Sequence, residues 1–155
     1  MSRPTRNKEP IDPRAKAIAL LARREHSARE LKRKLEARGI SRDDAEHAVS
    51  GLAQDGWQSD ARYAELLVRS RISQGYGPQR IKAELEVTGV SGDEVRVAMD
   101  NAAMDWRTLC VEAHAKHFGQ LPKNPAERAK QYRYLQGRGF DSGQISAALK
   151  GKADD

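Results

Sequence analysis

A skeleton of Leu-x-x-x-Gly-apolar recurs in this chain at a fixed interval. Leu31, Leu35, Gly39 and Ile40 lie 50 positions before Ile81, Leu85, Gly89 and Val90. Leu135, Gly139 and Phe140 lie 50 positions after the last three of those. Three copies at one spacing mark an internal repeat. The central copy spells out the unit. A turn over Gly75–Gly77 opens into a helix with Pro78 at its first position, where a missing N–H costs nothing. Ile81 and Leu85 share one helical face. Gly89 suits the left-handed residue that ends a helix, and Val90 closes the end with an apolar contact.

The rest of the chain punctuates itself in the same way. Asp12-Pro13 starts a helix with Ala17, Ile18 and Leu21 on its apolar stripe, running to about Glu25. Ser27-Ala28-Arg29-Glu30 is a capping box for the helix of Leu31 and Leu35, which Gly39 ends. Ser41, with Asp44 three later, starts a third helix that Gly56 stops. The second unit opens at Trp57. Ser59 or Asp60 caps a helix carrying Tyr63, Leu66, Leu67 and Ile72, and Ser91 with Glu94 forms a further capping box. The third opens near Asp105-Trp106, with Leu109, Ala113 and Phe118 on its first helix. Asn124-Pro125 restarts it, Gly137 and Gly139 end that helix, and Asp141 or Ser142 caps a last short one.

The reading is all-α: three tandem three-helix repeats, 12–56, 57–103 and 104–150, in an extended, curved array. A basic tail over 1–11 and a frayed end over 151–155 flank them. Apolar residues make up 38% of the 155 and charged residues 32%, a composition suited to several thin cores rather than one large one. No apolar run approaches a membrane span. The start is polar and Pro-containing, unlike a signal peptide, so the expectation is a cytoplasmic protein, and a monomer. The single cysteine, Cys110, excludes an intrachain disulfide.

The charge is unevenly placed. Residues 1–40 hold 12 Lys/Arg against 5 Asp/Glu, residues 41–105 hold 7 against 12, and residues 106–155 hold 9 against 5. Basic ends suit a polyanion or an acidic protein surface. Arg62, Arg69 and Arg71 fall on the first helix of the middle unit, and Arg80 and Lys82 on its second. Lys130, Arg133 and Arg138 fall on the second helix of the last unit. They read either as phosphate-contacting ridges or as solvated faces. Tyr76 lies among them, and an aromatic beside arginine can stack on single-stranded bases.

Catalytic constellations are missing. Gly75-Tyr76-Gly77 has neither the strand before it nor the Lys-Ser/Thr after it that a phosphate loop needs. No Gly-x-Ser-x-Gly elbow and no nuclease-like acidic cluster occurs. Cys110, His114 and His117, at i, i+4 and i+7, have ligand chemistry on one helical face, but no fourth ligand is evident and ordinary packing explains them as well. No cofactor is expected. His26 and His47 read as surface residues.

A resemblance adds to this. Trp57-x-Ser59-Asp60-x-Arg62-Tyr63-Ala64, Arg71, then Gly75-Tyr76-Gly77-Pro78-x-Arg80-Ile81-x-x-Glu84-Leu85-x-x-x-Gly89-Val90 resembles the central motif of the bacterial RecX recombination regulators. His26-Ser27-x-x-Glu30-Leu31-x-x-Lys34-Leu35-x-x-Arg38-Gly39 resembles that family's first repeat. Lys130-Gln131-Tyr132-Arg133-Tyr134-Leu135-x-x-Arg138-Gly139-Phe140 resembles its third, and the likeness spans about residues 14–150. It implies tandem three-helix repeats without enzymatic activity. It also implies binding to the RecA recombinase and to its filament on single-stranded DNA. Filament growth, strand exchange, ATP hydrolysis and co-protease activity would be restrained. Arg62, Arg71, Tyr76 and Arg80 are then the expected contacts of the middle unit. The other reading is a DNA-binding helical module that affects recombination indirectly.

Overall fold

Residues 10–150 are described in a computed structural model. The expected basic tail, through residue 9, and the end from 151 lie outside the described residues. Nine α-helices and no strand occur among the described residues: α1 (Pro13–Arg23), α2 (Ala28–Ala37), α3 (Arg42–Gln54), α4 (Asp60–Ser73), α5 (Pro78–Val87), α6 (Gly92–Ala102), α7 (Trp106–His117), α8 (Pro125–Arg138) and α9 (Ser142–Leu149). The chain divides into two compact units at Ser59–Asp60. The first holds α1–α3. The second holds two bundles, α4–α6 and α7–α9, which the sequence presents as separate repeats.

The 50-residue interval sets the cores. Leu35, Leu85 and Leu135 are fully buried at equivalent positions. So, nearly, are Ile40, Val90 and Phe140, then Ala45, Val95 and Ile145, then Val49, Met99 and Leu149. Each large apolar side chain taken out of water contributes roughly 1.5–3 kcal/mol. In every bundle the second helix ends alike. Gly39, Gly89 and Gly139 have φ of 89°, 85° and 105°, and the next residue's N–H reaches back to Leu35, Leu85 or Leu135 at 3.1–3.2 Å. That bond satisfies a terminal carbonyl and drops the apolar residue onto the core. A cap for the third helix follows two residues after the glycine: Ser41, Ser91 and Asp141.

Three details differ from the sequence reading. Helix α1 stops at Arg23 rather than near Glu25, because Arg24 takes an extended backbone, φ −164° and ψ 166°. His26 is 1% exposed rather than on the surface, whereas His47 is exposed. Both ring nitrogens of His26 are met, by the Arg24 carbonyl and the Lys34 side-chain nitrogen.

The third concerns the cap of α6. Ser27 with Glu30, and Asp141 with Gln144, make reciprocal capping boxes. At Ser91 only half forms: its hydroxyl accepts from the Glu94 N–H at 3.2 Å, while Glu94 Oε2 is buried without a partner. Burial, and then the Asp60 carboxylate, raise the Glu94 pKa above its ordinary 4.5. A carboxyl held above its unfolded value costs stability once ionised, and that cost fades as pH falls through the folded and then the unfolded pKa. Glu94→Gln, able to close the box as Gln144 does, should therefore raise the urea midpoint at pH 7. The gain should shrink as pH falls through the ordinary carboxyl value of 4.5, as Glu94 becomes protonated first in the folded and then in the unfolded state.

Candidate functional site

The residues singled out around Gly75–Arg80 and near Arg138 meet where the two bundles of the second unit join. Past the end of α4, Gly75 takes φ 82°, with the Tyr76 N–H bonded to the Arg71 carbonyl at 3.0 Å. Two residues on, α5 begins with Gly77 as its cap, and glycine offers no side chain to cap with. The orphan donors of this helix start are met from the other bundle. Gly77 N–H donates to the Arg138 carbonyl at 2.8 Å, and Gln79 N–H to the Gly139 carbonyl at 2.9 Å. Pro78 between them has no N–H to satisfy. The C-terminal carbonyls of α8 thus fill the N-terminal donors of α5, and the negative end of one helix dipole faces the positive end of the other.

The approach leaves no room for side chains. A Cβ on Gly77 would lie 2.5 Å from the Gly139 carbonyl carbon, and one on Gly139 would lie 2.5 Å from Arg80 Cβ. Beside this backbone contact the Tyr76 ring meets two guanidiniums, with Arg138 3.9 Å and Arg80 4.2 Å from its centroid. Arg138 also donates to the Gln74 carbonyl, and Arg80 to the Gly137 carbonyl at 3.4 Å. Cation–π contacts are worth about 0.5–2 kcal/mol each, less here because the two cations share one ring. Arg71 makes a bidentate ion pair with Glu84, at 2.8 and 2.5 Å, joining α4 to α5. That carboxylate holds the Arg71 pKa above its ordinary value, against the opposing effect of burial. Beside the seam a groove of about 530 Å³ is lined by Ile72, Met104, Leu109, Tyr134 and Arg138, among others.

Arg71, Tyr76, Arg80 and Arg138 are therefore engaged inside the chain. Of these four only Arg80 is exposed; the other expected contact residues, Arg62 and Arg69 on α4, Lys82 on α5, and Lys130 and Arg133 on α8, are exposed as well. The Cys/His trio separates into different surroundings. Cys110 is fully buried in the third core, and burial pushes its thiol pKa up to about 12. His114 Nε2 lies 2.7 Å from Gln131 Oε1. His117 stacks on Tyr134 at 3.7 Å. Among the described residues no group of three or more His, Cys, Asp and Glu is placed to hold a metal ion. Sequence reasoning missed Gly77 and Gly139 as a contact pair; the only signal was two Gly-x-Gly turns, one at the start of a helix and one at the end of another.

All three bundles match one family. Residues 14–52 match the RecX first three-helix domain, 59–99 the second and 106–149 the third. The chain belongs to the RecX family. Among its relatives, Regulatory protein RecX of Chromohalobacter salexigens is 47% identical, over 88% of this chain and 90% of that one. Regulatory protein RecX of Stenotrophomonas maltophilia is 43% identical, over 92% and 88%. In fold, the chain is similar to the crystal structure of RecX from Lactobacillus salivarius, with TM-score 0.74 and 21% identity over 89% of this chain and 92% of that one. No helix among the described residues is long and apolar enough to cross a membrane.

The seam of this RecX chain is open to a direct test. Gly77 has an ordinary negative φ of −87°, so an added methyl meets only the steric contact. Gly77→Ala should cost about 2–3 kcal/mol in urea unfolding of the second unit, the upper range for overpacking. Gly39→Ala, where a Cβ meets nothing within 4 Å at φ 89°, should cost only about 1–2 kcal/mol for the left-handed backbone.

Proposed function

We propose that this chain binds the RecA recombinase and its filament on single-stranded DNA. Bound there, it restrains filament growth, and with it strand exchange, ATP hydrolysis and co-protease activity. The observation that carries this reading is the match of all three RecX domains, in order, along one chain. It acts as a cytoplasmic, non-enzymatic binder, working through surface contacts and needing no cofactor.

The geometry supports a division of labour among the basic residues. The seam holds the second and third bundles together, so that Arg62, Arg69, Lys82, Lys130 and Arg133 are displayed from one unit. Several weak contacts made from one preorganised body add without the entropy of ordering each separately. Arg71, Tyr76, Arg80 and Arg138 then act mainly by holding that display in place, rather than as the direct contacts the motif suggested.

A helix-turn-helix reading, in which the third helix of a bundle enters a DNA groove, fits less well. The first turns of α3 and α6 carry Asp43, Asp44, Asp93 and Glu94, which DNA phosphates would repel. ATP hydrolysis by RecA on single-stranded DNA should fall when this protein is added at comparable concentration, and no fall would refute the proposal. Lys130→Glu with Arg133→Glu should weaken the inhibition about tenfold or more if two contacts of about 1 kcal/mol are lost and reversed. DNA-only binding would instead need no RecA and would weaken steeply with added salt.

A further inference from the structure

Lys34 and His26 form a pair in the first bundle that the RecA-binding reading does not use. His26 Nδ1 lies 2.9 Å from the Arg24 carbonyl oxygen. A carbonyl only accepts, so Nδ1 carries the proton and Nε2 is a bare acceptor. Lys34 Nζ lies 2.9 Å from that Nε2. The imidazole is 1% exposed and fixed at both nitrogens, and the Gln58 side chain donates to the His26 carbonyl at 3.2 Å. Lys34, on α2, is half-buried rather than sealed.

The charges around the pair favour a neutral amine. Arg23, Arg24 and Arg38 act on Lys34 as like charges, and the opposing carboxylate is Glu30. Glu30 is committed elsewhere, with Oε2 on Arg24 at 3.0 Å and Oε1 on the Ser27 N–H at 3.2 Å. Burial, then the Arg24 charge, lower the Lys34 pKa, and burial lowers that of His26. Both groups are thereby biased towards their uncharged forms.

We infer that Lys34 is a reactive lysine, acylated by small anionic acyl donors of the acyl phosphate class, with His26 as the proton acceptor. The neutral amine keeps one N–H directed at His26 Nε2, which leaves its lone pair free. Nitrogen attacks the acyl carbonyl carbon and the N–C bond forms. The acyl–oxygen bond breaks, and phosphate leaves with the electron pair. The proton now acidic on nitrogen passes to His26 Nε2 and then to water. Surrounding arginines attract the dianionic donor. The product amide keeps an N–H for His26 but can no longer carry a positive charge on α2. This inference stands apart from the RecA proposal.

The test treats the full chain with acetyl phosphate at pH 7 and reads site-resolved initial rates by peptide mass spectrometry. Lys34 should react about threefold or more faster than the exposed Lys82 and Lys123, since each unit of lowered pKa is tenfold in neutral amine. Its rate should fall, relative to theirs, on acidification as His26 takes up a proton, an uptake that burial holds below the ordinary imidazole range. Equal or slower reaction at Lys34 would overturn the inference in the unaltered protein. His26→Asn retains a donor for the Arg24 carbonyl but not the acceptor for Lys34. If it folds, by its circular dichroism, the Lys34 advantage should be lost, and an undiminished advantage would equally overturn the role of His26.

Discussion

Everything in the second unit depends on one helix end filling another. An α-helix leaves its first N–H groups and last C=O groups without partners. At the start of α5 and the end of α8 these two deficits cancel, through Gly77 to Arg138 and Gln79 to Gly139. The match requires bare backbone on both sides, which is why each chain segment brings a glycine to the point of closest approach. Gly139 serves twice. Its left-handed conformation ends α8 and seats Phe140 in the third core, as Gly39 and Gly89 seat their neighbours. The same turn exposes the Gly139 carbonyl to Gln79. A repeated device for ending helices thus became, in one copy, a joint between bundles.

The joint changes what the basic residues mean. In a helical wheel Arg71, Arg80 and Arg138 look like surface charges. In three dimensions they follow the turns. Arg71 ties α4 to α5 through Glu84, while Arg80 and Arg138 both pack on the Tyr76 ring. A bidentate arginine–carboxylate pair fixes geometry as well as charge, and a lysine at either place could not reproduce it. Density of motif residues in the sequence therefore marks the part of the chain under the most structural demand, which need not be the part that touches a partner.

Helix starts, helix ends and core positions were legible because local rules decide them. Asp12, Ser27, Ser41, Asn124 and Asp141 all cap as their residue types dictate. Tyr63, which precedes Leu67 by one helical turn, is buried. What failed to show were contacts made by residues far apart in the chain. Neither Gly77 nor Gly139 carries any mark of the other, 62 positions away. His26 looked like a surface residue because the groups that meet its ring nitrogens, the Arg24 carbonyl and Lys34, are not apolar. The Cys110, His114 and His117 spacing was real, but the helix turns Cys110 and His114 inward while His117 meets Tyr134.

The third bundle shows how far a repeat can drift without losing its fold. Leu31 and Ile81 are fully buried, and the equivalent position holds Gln131, 7% exposed. An unpartnered amide there would cost about 1–3 kcal/mol. Gln131 avoids that cost with both ends of its amide: the oxygen faces His114 Nε2 at 2.7 Å, and the nitrogen donates to the Gln120 carbonyl at 3.2 Å. The second contact pins the loop between α7 and α8, the longest connection within any of the three bundles. The first pins α7 against α8, a task that apolar packing performs in the other two. Because the His114 nitrogen facing an amide oxygen must be a donor, Nε2 carries a proton. The polar exchange at one core position thus accounts together for the buried histidine, the longer loop and the loss of the first leucine from the third copy of the repeat.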